Sequence, residues 1–116
     1  MKKKVVIFAM NGELIYFAHA MLNGLNMRER GIDARIVIEA GACRLVSLLE
    51  DTDKPFADLF SQIKETGMIE GVCRSCAEQL NVMQSIRDQG LAILDEMHGH
   101  PSMARYIEAG YEVITF

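Results

Sequence analysis

Val5-Val6-Ile7-Phe8-Ala9-Met10 is an unbroken apolar run, rich in β-branched residues and closed by Asn11-Gly12. A strand that offers no polar side to water has both faces covered, so this run predicts a sheet with helices packed over it. The next segment supplies such a helix. From Glu13 to Arg30, Leu14, Phe17, Met21, Leu22 and Leu25 recur at helical spacing, and Gly31 stands where a helix-ending glycine belongs. His19 is read as a solvated residue on the outer side of that helix.

Asp33 to Ala40 predicts a second strand centred on Arg35-Ile36-Val37-Ile38, and Gly41-Ala42-Cys43 turns it into a helix carrying Leu45, Val46, Leu48 and Leu49. In Asp51-Thr52-Asp53-Lys54-Pro55, Asp53 reads as an N-cap and Pro55 as an early helical residue. Phe56, Leu59, Phe60 and Ile63 then share one face up to Gly67. Met68 to Val72 predicts a third strand and Leu91 to Leu94 a fourth, with one helix between them running to about Gln89 over Leu80, Met83 and Ile86. After the loop Asp95 to Pro101, Ser102 to Ala109 reads as a short helix, and Tyr111 to Phe116 as the last strand.

Strict alternation of strand and helix predicts one α/β domain over residues 1–116, a three-layer α/β/α arrangement around a five-stranded parallel sheet. Its length of 116 residues and a composition that is 50% hydrophobic allow one real core and no second domain. A net charge of −4 gives no electrostatic reason for a nucleic-acid or anionic-membrane partner, and neither is expected. The start Met1-Lys2-Lys3-Lys4 with its apolar run imitates a signal peptide, but Asn11-Gly12-Glu13 ends the run too early, and no stretch approaches a membrane span. Three cysteines cannot all pair within the chain, and a reducing cytoplasm is expected.

In parallel α/β sheets, ligands sit beyond the carboxyl ends of the strands. The chemistry-bearing residues fall there: Asn11 and Glu13, Glu39, Cys43 and Arg44, Cys73, Arg74 and Cys76, and His98 and His100. The densest stretch is Gly71-Val72-Cys73-Arg74-Ser75-Cys76-Ala77-Glu78. Ser75 and Glu78 are spaced as a capping box, which makes Ser75 the expected N-cap and Cys76 the first helical residue. A helix N-terminus and the adjacent Arg74 both favour thiolate, so the reading is a reactive, exposed cysteine pair.

With these residues in hand, the chain resembles the DsrE/DsrF-like family of small sulfur-relay proteins, the YchN-like proteins included. The resemblance rests on Val5 to Gly12, on Arg35-Ile36-Val37-Ile38-Glu39-Ala40-Gly41-Ala42, on Gly71 to Cys76, and on the ending Gly110-Tyr111-Glu112-Val113-Ile114-Thr115-Phe116. It implies a DsrEFH-like five-stranded domain, assembly into homotrimers or homohexamers, sulfur donor and acceptor proteins as partners, and sulfane sulfur carried as a persulfide on Cys73. Cys76 is expected to act as resolving thiol; Arg74, Ser75, Asn11, Cys43, His98 and His100 are the expected supporting residues. The stretch Glu96 to Ser102 departs from the best-known sulfur-oxidation subunits and looks like an uncharacterised branch.

Two other readings stand beside this one. A non-catalytic binding subunit keeps the fold without the chemistry. A zinc site would draw on Cys73, Cys76, His98 and His100, but His-Gly-His lacks finger spacing, so the expectation is no cofactor and no resident metal. Oligomerisation is also expected from apolar surplus, with Phe56, Phe60, Tyr106, Tyr111 and Phe116 as the clearest cases, and Met68, Met83, Met97 and Met103 are read as core or subunit packing.

Overall fold

The computed structural model describes residues 2–116. Five strands alternate with six α-helices: β1 (Lys4–Ala9), α1 (Leu14–Glu29), β2 (Asp33–Ile38), α2 (Cys43–Leu48) behind a 3-10 turn (Ala40–Ala42), α3 (Ala57–Glu65), β3 (Ile69–Cys73), α4 (Arg74–Gln79), α5 (Met83–Asp88), β4 (Ile93–Leu94), α6 (Met103–Glu108) and β5 (Glu112–Thr115). All strands are parallel, in the order β4-β3-β2-β1-β5. The α/β class and the five-stranded parallel sheet are therefore as the alternation predicts.

Val5, Ile7 and Ala9 of β1 face a large core built with Phe17 and Met21 of α1, Val46 of α2, Phe60 and Ile63 of α3, Ala77 of α4 and Ile86 of α5. Val6 and Phe8 face the other way, onto Val37 and Tyr106. The layers are thus unequal. Successive right-handed crossovers from β1 to β4 lay five helices on one face, and the return to β5 leaves α6 alone on the second. Tyr106 anchors it, its ring edge-on to Phe8 at 5.9 Å.

Several boundaries differ from the sequence reading. Leu22, expected on the packed face of α1, is exposed along with Ile15 and Tyr16. Asp53 does not cap α3, which begins at Ala57 behind Phe56, a residue at φ +68° with no side-chain cap bond. The expected surplus at Phe60 and Tyr106 is absent, because both are buried within one chain, whereas Met97 is exposed.

The long helix expected after β3 is two helices. α4 ends in a Schellman motif: Asn81 sits at φ +60°, its N–H donates to Glu78 O at 3.2 Å, and Val82 N–H donates to Ala77 O at 3.0 Å. The same pair of bonds closes α1 at Gly31. Because a left-handed residue with a branched Cβ is strained by about 1–2 kcal/mol, Asn81→Val is expected to lower unfolding free energy by that amount. Asn81→Gly should leave it nearly unchanged; urea denaturation of the two variants checks this.

Candidate functional site

The site grows from the end of β3. Register pairs Cys73 with Leu94 and Val72 with Ile38 and Ile93, so Glu39 comes level with Cys73 on one side and Asp95 with Arg74 on the other. Cys73, not Ser75, is the N-cap of α4, and its Sγ accepts the Cys76 N–H at 3.5 Å. The expected capping box does not form. Ser75 lies inside the first turn and its N–H donates to Gly99 O at 2.9 Å, while Glu78 binds Arg74.

That Gly99 carbonyl belongs to a tight turn. Met97 and His100 exchange both backbone hydrogen bonds, at 2.8 and 2.9 Å, across His98 at φ +50° and Gly99 at φ +86°. Two successive positive φ values are the signature of a type I′ turn, which glycine accepts freely in its second place. The Ser75–Gly99 bond ties the turn to α4. His100 is thereby held with Nδ1 3.2 Å from Cys73 Sγ, which also lies 3.8 Å from Gly99 O as a second acceptor for its thiol. Donor atoms of Cys73, Cys76 and His100 lie within 4.8 Å of one another.

Other expected residues fall elsewhere. His98 is exposed and borders an open polar cleft of about 450 Å³ with Arg74, Ser75, Glu78, Asp95 and Gly99. Asn11 lines a separate cleft of about 550 Å³ with Tyr16, His19, Thr115 and Phe116, and its Oδ1 accepts the Glu13 N–H at 2.8 Å. His19 is solvated, as expected. Cys43 is buried rather than on the rim, with Sγ 3.8 Å from Ile38 O. Burial pushes its thiol well up, with the Cys73 N–H acting the other way.

The expectation of an exposed, charge-activated thiolate does not hold for Cys73. Its exposure is 0%, and burial pushes its thiol up to about 12. The Cys76 N–H pulls the other way and loses to desolvation, with Glu39 and Cys76 adding to the rise. Arg74 gives little help, because its guanidinium is held by Glu78 at 2.9 Å and Asp95 at 3.2 Å. At rest the pair is a neutral thiol facing an imidazole, and with the proton of His100 on Nε2 the thiol donates to Nδ1. Burial also holds the Glu39 carboxyl above its usual value, against the opposing pull of His100.

Sequence reasoning placed Glu39 at the rim without a role and missed one contributor altogether. The Gly99 carbonyl, a backbone atom, has no sequence signal at all.

No family model matches the chain. It is 27% identical over 96 residues to the uncharacterized protein MJ0733 of Methanocaldococcus jannaschii, an alignment covering 83% of this chain and 76% of that one. Among solved structures it is similar to a conserved protein of unknown function, BT1422, from Bacteroides thetaiotaomicron. The TM-score is 0.76 at 19% identity, with 98% of this chain and 95% of the other covered. At that identity the likeness speaks for the fold. No helix among the described residues is long and apolar enough to cross a membrane.

A thiol that titrates near 12 sets the pH response of its chemistry. Alkylation of Cys73 by iodoacetamide, followed by peptide mass spectrometry on native reduced protein, is expected to rise about tenfold per pH unit through pH ~10 without a plateau. A plateau below pH ~9 would show a thiolate stabilised in the folded state.

Proposed function

We propose that this protein is a sulfur-relay protein that carries sulfane sulfur as a persulfide on Cys73, receiving it from one protein and passing it to another. The observation that carries this reading is the 3.2 Å contact between Cys73 Sγ and His100 Nδ1. A buried thiol is a poor nucleophile until its proton leaves, and an imidazole at hydrogen-bond distance accepts that proton as attack begins. The thiolate then attacks the outer sulfur of a donor persulfide, forming the Cys73 S–S bond as the donor S–S bond breaks. The donor departs as a thiolate and takes up a proton.

Cys76 supplies a second step. Its thiolate can attack the inner sulfur of the Cys73 persulfide, forming the Cys73–Cys76 disulfide and expelling hydrosulfide, so that sulfane sulfur is reduced as the two thiols are oxidised. An external acceptor thiol attacking the outer sulfur instead returns Cys73 to its starting state. Resemblance to the DsrE/DsrF-like proteins along the strands and the cysteine turn supports the same reading.

Intact mass after incubation of reduced, chelator-treated protein with polysulfide is expected to show one added sulfur on Cys76→Ser, one added sulfur or the two-hydrogen loss of the Cys73–Cys76 disulfide on the wild type, and neither on Cys73→Ser. His100→Ala should load at least about 10²-fold more slowly, the usual contribution of a positioned general base. Equal loading of the two cysteine variants would remove Cys73 from the role.

Assembly into a homotrimer or homohexamer remains part of the reading, with its support relocated. Ile15, Tyr16 and Leu22 of α1 are each about half exposed, and Ile107 on α6 is 60% exposed. Sedimentation velocity at micromolar concentration should return a species several times the 13.0 kDa chain mass; a monomer would rule assembly out.

A further inference from the structure

Two sulfurs and an imidazole nitrogen meet at the end of β3, the three donor atoms of Cys73, Cys76 and His100 lying within 4.8 Å of one another. Around a tetrahedral zinc ion, with sulfur at about 2.3 Å and nitrogen at about 2.0–2.1 Å, neighbouring donors stand roughly 3.5–3.8 Å apart. The 3.2 Å between Cys73 Sγ and His100 Nδ1 and the 4.8 Å limit on the set bracket that spacing. Only small side-chain adjustments separate this arrangement from coordination.

We infer that Cys73, Cys76 and His100 form a binding site for a thiophilic metal ion of the Zn²⁺ type, with the fourth coordination position open to an outside ligand. The sequence argued against zinc because His98 and His100 lack finger spacing. The fold answers that objection by leaving His98 out, in the exposed corner of the turn, and presenting His100 alone.

Preorganisation supports the site. Cys73 is fixed by strand pairing, Cys76 by the first turn of α4, and His100 by the turn bonded to Ser75 N–H, so three separate backbone anchors aim donors at one point. Thiolate and imidazole donors select zinc and its soft relatives over magnesium or calcium. The Arg74 charge, which would oppose a cation here, is taken up by Glu78 and Asp95. Binding a divalent ion displaces two thiol protons to solvent and leaves two thiolates, one imidazole and one exchangeable position. Three protein ligands and an open fourth is the pattern of reactive rather than purely structural zinc.

Metal and sulfane sulfur draw on the same Cys73 atom and so compete for it. Metal binding does not depend on sulfur transfer, and the two are read separately: metal binding with no sulfur donor present, sulfur loading on chelator-treated protein.

Co²⁺ is the probe. One equivalent added to reduced, full-length protein is expected to give thiolate-to-cobalt charge transfer and the visible bands of a tetrahedral centre, both abolished by one equivalent of Zn²⁺. Cys76→Ser and His100→Ala, checked for folding by circular dichroism, should each weaken binding by more than the roughly 10–100-fold typical of losing an outer partner. His98→Ala should bind as the wild type does. On the wild type alone, Zn²⁺ should protect Cys73 and Cys76 from alkylation. Absence of the charge-transfer band, or wild-type binding by His100→Ala, overturns the site.

Discussion

Parallel pairing of every strand is the constraint on which the rest depends. It sends five carboxyl ends to one edge, and the register then decides which residues become neighbours. Because Cys73 pairs with Leu94, the next residues along, Arg74 and Asp95, come level and form an ion pair at 3.2 Å. On the other side Val72 pairs with Ile38, which brings Glu39 beside the sulfur. Strand spacing of about 4.8 Å makes each of these a contact across one step of the sheet.

The thiol at the centre is governed by a contest that burial wins. A helix N-terminus and a neighbouring arginine are the usual means of lowering a cysteine pKa, and both are present in sequence. α4, however, runs only from Arg74 to Gln79 and directs one N–H at the sulfur, while the arginine charge is neutralised by two carboxylates. Desolvation of a fully covered sulfur outweighs what remains. A neutral, shielded thiol beside an imidazole is suited to react when a partner or an ion arrives, and to resist stray oxidants in between.

Position within the sheet is also informative. Strand order reverses between β1 and β5, the place where open α/β sheets usually bind ligands. Here the Phe116 carbonyl accepts the N–H groups of Met10 and Asn11, at 2.8 and 3.2 Å, and bridges the mouth of that crevice. The cysteine cluster lies on the opposite side of β2, towards the edge strand β4, whose two residues pair with Val72 and Cys73 at the end of β3. Close approach elsewhere on the rim is steric: a side chain at Gly41 would stand 3.1 Å from the Gly12 backbone.

By itself the sequence determined the class of fold, the five strands within a residue or two, and the helix stops at Gly31, Gly67 and Gly110, because apolar periodicity and glycine at positive φ are local properties. It also marked Cys73, Cys76 and His100 as residues of interest. Tertiary structure alone decided how α4 stops, since Asn81 adopts a left-handed conformation that asparagine tolerates without announcing it. It decided that Phe60 and Tyr106 are interior, because which apolar side chains one domain can cover depends on where each crossover lands. Above all it decided that His100 and not His98 meets the sulfurs. The two differ by one turn residue, and the hydrogen bond from Ser75 to Gly99, joining segments far apart in the chain, selects between them.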